Sequence, residues 1–306
     1  MRNELTMRVA AVICSVLLCV GRAAGAAVET YEDVLSADNA STLRPEVYEA
    51  RFELGSASGP PLVVAAEGRF LYGLASGEVQ TPSGGRAGTT TLHRPTLDEL
   101  GIEHASAFDL SGTLGWGQHE IYLGGQWLRM SGSATLGADL TTQERQFLAG
   151  SEVDAHLQFD WYRVGYRHRF GLADGPGDGP RFILSPSAGA AMMSFDYELS
   201  SPGLRSAHRS YSKVAPQLGM EIEWRATERL SVVGAVSSTV PISNMPLIVT
   251  AEVVGRYRVV DREAFTLTGT AGLGFESVSY KDNQDVPNHV EVDLGPMLIL
   301  GLQLQF

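Results

Sequence analysis

Past residue 26 this chain of 306 residues has no cysteine: Cys14 and Cys19 both lie in the N-terminal stretch, so once that stretch is removed no disulfide, thiol nucleophile or cysteine metal site remains. Nor is there, past residue 27, any apolar run of the roughly 20 residues that a membrane-crossing helix needs. Positive charge is short as well, with 23 Lys and Arg against 35 Asp and Glu. An acidic chain of this kind is a poor partner for nucleic acid. A Gly-x-Ser-x-Gly nucleophile elbow is missing too, which removes the commonest signature of a serine hydrolase. No cofactor-binding motif stands out.

What is present begins with a tripartite N-terminus. Arg2 and Arg8 precede the apolar run Val9 to Val20, and Ala23-Ala24-Gly25-Ala26-Ala27 follows. Charge, a short apolar core and a small-residue site make a secretory signal peptide over residues 1–26, cleaved after Ala26. Leu18 before Cys19 and Val20 after it do not suit a lipoprotein signal. Removal of this segment leaves 20 basic and 34 acidic residues, a formal charge of −14. Residues 27–64 carry Pro45, Gly59-Pro60-Pro61 and scattered acids, and are expected to be a periplasmic or plug-like segment. Residues 65–306 read as a single β-barrel.

The barrel expectation rests on alternation. Val292, Leu294, Leu298, Leu300, Leu302, Leu304 and Phe306 fall on one face of the last segment, and Glu291, Asp293, Gly301, Gln303 and Gln305 on the other. Leu247, Val249, Ala251, Val253 and Tyr257 oppose Thr250, Glu252, Arg256 and Arg258. Val214, Leu218, Met220, Ile222 and Trp224 oppose Lys213, Gln217, Glu221, Glu223 and Arg225. Val153, Ala155, Leu157, Phe159 and Trp161 oppose Glu152, Asp154, His156, Gln158 and Asp160. These runs reach the roughly ten residues of a transmembrane strand, whereas strands of a soluble sandwich average five or six. Trp116, Trp161, Trp224 and Phe306 near strand ends suit interfacial girdles. The expected fold is therefore an all-β, antiparallel up-and-down transmembrane barrel, since in lipid only a closed sheet satisfies its backbone. Ten strands are expected, near 67–79, 104–116, 119–131, 151–170, 181–197, 211–225, 229–240, 248–260, 264–280 and 291–306. Twelve is the alternative, with Tyr48 to Leu54 recruited. Short turns at 117–118, 226–228 and 261–263 alternate with long links, so both ends face the periplasm. Between Trp161 and Tyr162 the apolar phase switches, which reads as a bulge.

The ending Gly301-Leu302-Gln303-Leu304-Gln305-Phe306 resembles the C-terminal assembly signal of bacterial outer-membrane proteins, in which alternating apolar residues and a terminal aromatic follow a glycine. Gly301, Leu304 and Phe306 carry the likeness; Leu300 departs from it, standing where the pattern has a polar residue. The resemblance implies escort by periplasmic chaperones, handover to the barrel-assembly machinery and insertion among outer-membrane lipid. It covers the last strand alone and marks a class of many functions.

Two groups of residues could carry function. The link Thr81 to His104 contains Pro95, Asp98, Glu99 and Gly101, which suit a short helical turn. It reads as a lid or plug carrying His93, Asp98, Glu99 and His104, or as a loop packed on the barrel rim, with its ligand open. Paired with Ser106 or Ser111, His93 or His104 would make a lipid A or phospholipid modifying enzyme formally conceivable, a reading set behind a non-enzymatic one. His156 and His168 fall on opposite faces once the bulge is counted, which separates them as metal ligands. The second group is the lumen face: Glu152, Asp154, Arg163, Arg167, Glu221, Glu223, Glu252, Arg256 and Arg258, with Glu67, Arg69, Asp109, Glu120, Asp160, Arg169 and Arg225. Opposite charges in a narrow barrel pair, because an unpartnered buried charge is costly. A structural or surface-interaction barrel with a charge-filled lumen is thus expected, with a small porin-like channel as the rival. If the ending is an assembly signal, deletion of Phe306 lowers the yield of folded barrel in outer-membrane fractions; an unchanged yield would refute that role.

Overall fold

The computed structural model describes residues 62–174, 179–203 and 206–306. The expected signal peptide, the segment 27–61 and the candidate strand Tyr48 to Leu54 lie outside the described residues. Among those described, ten long strands form a closed antiparallel barrel: β1 (Leu62–Gln80), β2 (His104–Trp116), β3 (His119–Thr135), β6 (Glu152–His168), β8 (Pro180–Ser200), β9 (Ala207–Arg225), β10 (Leu230–Thr239), β11 (Leu247–Asp261), β12 (Thr266–Lys281) and β13 (His289–Gln305). β7 (Phe170–Asp174) continues β6 beyond Arg169, and β4 (Leu140–Thr142) with β5 (Arg145–Phe147) makes a small hairpin in one loop. Sequential strands are neighbours, and β1 pairs with β13 to close the ring. The short turns gather at one end with Leu62 and Phe306; the long loops gather at the other.

The strands alternate in and out, interrupted by extra residues in β13 and near Val259 in β11, but what the two faces meet changes along their length. On the turn side, Phe70, Tyr72, Leu110, Leu123, Val164, Leu218, Leu273, Leu298, Leu300 and Leu302 point outward and are exposed, and charged side chains point in. On the loop side the arrangement reverses. Val153, Ala155, Leu157, Phe159 and Trp161 point inward and are buried, while Glu152, Asp154 and His156 point outward. A barrel that meets apolar surroundings on its turn side and water on its loop side requires this reversal, since buried faces must be apolar where the outside is wet.

The reversal corrects three expectations. β6 runs through Trp161 and Tyr162 with unbroken register to both β3 and β8, so no bulge lies there. The apolar phase switches because up to Trp161 the inward face is apolar and the outward face polar, and beyond it the outward face is the apolar one. Trp161 is consequently an interior side chain and not part of a girdle. In β13 the converse error occurs. Gly73 lies opposite Met297 and Ala75 opposite Leu294, and β12 shows the same slip between Gly274 and Glu276, which marks an extra residue at Gly295-Pro296. This bulge inverts the phase, so Val292 and Leu294 point into the barrel while Leu298, Leu300 and Leu302 point out.

If the exposed band is the lipid face, Leu298→Arg costs about 2–4 kcal/mol near the midplane. Glu152→Arg, also outward but exposed above the band, is close to neutral. Denaturant unfolding of the refolded barrel in lipid vesicles separates the two, and equal effects would overturn the placement of the band.

Candidate functional site

The turn-side lumen is crossed by arginine–carboxylate contacts from six strands. Arg69 on β1 donates to both carboxylate oxygens of Glu252 on β11, at 2.8 and 2.9 Å, and lies 3.5 Å from Asp109 on β2. Arg163 on β6 donates to Asp109, which is fully buried. Arg167 sits 3.1 Å from Glu120 and 3.2 Å from Glu221, bridging β3 and β9 across β6. Arg256 approaches Glu67 at 3.8 Å and Glu221 at 3.9 Å. Glu276, fully buried on β12, accepts from Gln126 Nε2 at 2.8 Å. Beside this network lies a cavity of about 650 Å³, lined in part by Glu120, Arg169, Glu223, Arg225, Arg229 and Arg258. Arg69 Nε, Arg167 Nε and Arg256 Nε have no partner among the described residues, and a polar cavity of this size has room for the water that satisfies them.

Above the network the lumen is filled with apolar side chains. Leu157, Phe159, Met193, Phe195, Tyr197 and Leu199 are almost wholly buried, and Phe159 packs on Phe195 with ring centroids 5.1 Å apart. The link between β1 and β2 completes this plug. A short 3₁₀ turn, Asp98–Leu100, sends Leu97, Leu100 and Ile102 into the core. Thr96 and Glu99 cap the turn reciprocally: the Thr96 amide donates to Glu99 Oε2 at 2.9 Å and the Glu99 amide to Thr96 Oγ1 at 3.2 Å. The Thr96 amide, with His93 beside it, holds the Glu99 carboxyl below the usual carboxylate range. Gly101 ends the turn at φ 72°, and a Cβ there would stand 2.3 Å from the Ser133 carbonyl, so the link lies flush against β3 only because that position is glycine.

The sequence-selected residues divide accordingly. Arg163, Arg167, Glu221, Glu223, Glu252 and Arg256 line the lumen, and Arg258 sits at its turn-side rim, 2.9 Å from Asp261. Glu152 and Asp154 do not: both face outward, because they precede the crossing into the band. Asp160 likewise faces outward and pairs with Arg129 at 2.6 Å. In the loop, His93 Nε2 lies 3.0 Å from Glu99, exposed, while Asp98 is exposed beside them and His104 stacks on Tyr72 at 5.6 Å. The four do not converge, and among the described residues no hydrogen bond links either histidine to Ser106 or Ser111. His156 and His168 share the outward face of β6, kept apart by their spacing along the strand. Gly301, Leu304 and Phe306 stand at the turn-side end of the closing seam, where Leu304 pairs with Ala66 and Gly301 with Arg69.

One cluster escapes sequence reasoning. Glu78 on β1 and His289 and Glu291 on β13 meet across the seam, with Arg94 of the β1–β2 link among them. Glu78 and Glu291 are directly opposed in register, which pairing of the first strand with the last could have revealed.

No protein-family profile matches the chain, and no curated protein matches it. Solved structures do resemble it. The attachment invasion locus protein Ail of Yersinia pestis, in complex with the heparin analogue sucrose octasulfate, is 12% identical over 79% of this chain and 99% of its own, with a TM-score of 0.32. The outer membrane protein OprG of Pseudomonas aeruginosa is 8% identical over 81% and 97%, with a TM-score of 0.39. The outer membrane protease OmpT of Escherichia coli is 12% identical over 82% and 99%, with a TM-score of 0.41.

The lumen contacts make a direct expectation. Asp109→Ala strands Arg163 and removes one of the partners of Arg69, and breaking a buried pair costs about 3–5 kcal/mol. Asp109→Leu combined with Arg163→Met recovers most of that loss. Unfolding midpoints of the three barrels in denaturant check both statements; a single substitution costing less than about 1 kcal/mol would mean that the pair is solvated.

Proposed function

We propose that the chain is an integral outer-membrane barrel that is closed to diffusion and acts through its loop-side surface, in a structural or surface-interaction role. The observation that carries this reading is the division of the lumen: an apolar plug fills the loop-side half above a cross-linked charge network.

The outer band supports residence in lipid. From Leu62 to Leu74 a strand rises about 40 Å at about 3.3 Å per residue, and from Leu298 to Phe306 about 26 Å. At a tilt of about 40° these become about 30 and 20 Å along the barrel axis, bracketing the roughly 25 Å apolar band of outer-membrane barrels. Aromatic side chains mark both edges. Phe108, Trp127 and Tyr162 lie in contact across β2, β3 and β6 at the loop-side edge, with centroids 6.1 and 6.2 Å apart. Trp116, His119, Tyr166, His168 and Phe170 cluster at the turn-side edge. Delivery by periplasmic chaperones and the barrel-assembly machinery belongs to the same reading. A narrow passage would need water through the plug, where side chains such as Phe159, Phe195 and Tyr197 leave under 2% of their surface accessible.

The refolded chain in a planar bilayer is expected to give no discrete conductance steps. Reproducible single-channel steps would overturn closure and make the lumen charges selectivity determinants.

A further inference from the structure

On the loop side of the apolar band, Glu78, His289 and Glu291 bring one ligand atom each to within 4.8 Å of one another. His289 Nε2 stands 3.3 Å from a Glu78 oxygen and 3.1 Å from a Glu291 oxygen. Donors bound at 2.0–2.2 Å around a tetrahedral zinc-class ion are about 3.4 Å apart, so these separations are close to those of a formed ligand set. The ring of His289 is more than nine-tenths buried, and its Nδ1 has no hydrogen-bond partner among the described residues.

The other ring nitrogen, Nε2, is under incompatible demands. Two carboxylate oxygens beside Nε2 call for a proton on it. Arg94 Nη1, 3.3 Å away, is a donor and calls for a lone pair. No tautomer of a neutral imidazole serves both. Arg94 meanwhile lies 2.6 Å from Glu78, bringing one positive charge to a site with two carboxylates. A divalent cation resolves the conflict: the Nε2 lone pair and both carboxylates lie close enough together to share it, and its two charges balance theirs.

We infer that Glu78, His289 and Glu291 form a binding site for a first-row divalent metal ion of the zinc type, for which the Arg94 guanidinium is the built-in competitor. One imidazole and two carboxylates suit zinc and its neighbours over magnesium or calcium, which take more oxygen ligands and no nitrogen. Three protein ligands leave a fourth position for water. Arg94 belongs to the β1–β2 link, so ion binding frees that side chain at the rim of the barrel.

The test is calorimetric titration of Zn²⁺ into the refolded, untagged full chain, with Co²⁺ absorption reporting coordination geometry. One ion per chain is expected. Arg94→Ala tightens binding by tenfold or more, and His289→Ala abolishes it. Glu291→Gln, at a half-exposed position that does not threaten the fold, weakens it at least tenfold. His168→Ala, which breaks the close pair that His168 makes with His119 away from the site, leaves it unchanged. Absence of saturable one-to-one binding by the native chain overturns the inference. So does native affinity in His289→Ala or Glu291→Gln, unaltered affinity in Arg94→Ala, or loss of binding in His168→Ala.

Discussion

Charge inside a membrane-sized barrel survives only if each ion is answered by another, and the pairing of arginine with carboxylate across the turn-side lumen is the interaction on which the rest of this molecule depends. Arg69 alone joins β1 to β2 and β11, and Arg167 joins β6 to β3 and β9. These contacts run around and across the ring, adding to the neighbour-to-neighbour hydrogen bonds of the sheet. The chain uses arginine for all of this, since its two lysines, Lys213 and Lys281, lie outside the network. A guanidinium can face two carboxylates at once with a fixed fork of donors, which an ammonium on a flexible stem does less well. The bidentate contact of Arg69 with Glu252, made while Asp109 is also within reach, is that property in use.

A network of this kind frees the loop-side half of the lumen from any polar duty. There the strands are polar on the outside and enclose a core of Phe159, Phe195, Tyr197 and their neighbours, as a soluble barrel would. Leu97, Leu100 and Ile102 cover that core from the loop. The molecule is thus two barrels of opposite polarity on one set of strands, joined where the outward aromatic side chains sit.

That construction explains what the sequence could tell. Strand positions were legible almost throughout, because alternation and turn chemistry are local: the expected crossing near 211–225 lies within Ala207–Arg225, and that near 104–116 coincides with His104–Trp116. Alternation does not say which medium a face meets. Val153 to Trp161 and Val292 with Leu294 were assigned to the lipid side for that reason, when both sets are interior. The bulge was misplaced by the same ambiguity, since a phase change in hydrophobicity follows from an extra residue, as at Gly295-Pro296, or from an apolar face that changes from inward to outward, as at Trp161. The short turn ending at Gly101 was visible from Pro95, Asp98, Glu99 and Gly101, while its reciprocal cap by Thr96 and Glu99 was not. The meeting of Arg94 with His289, 195 positions apart, was not, because it exists only once the ring has closed.

The closing seam has a kinetic meaning. It pairs Ala65 with Gln305, so one of the last residues of the chain completes the hydrogen bonding of one of the first described, and β13 covers an edge of β1 and an edge of β12 at once. Until that strand arrives, two rows of unsatisfied backbone groups stand open, each a template for pairing with a foreign chain. The entropy of joining such distant segments opposes closure, and topologies dominated by distant pairings are slow to fold. The interval before closure is therefore when the polypeptide is most prone to aggregate, and any agent that shelters its two ends during transit would act on rate and yield without touching the finished barrel.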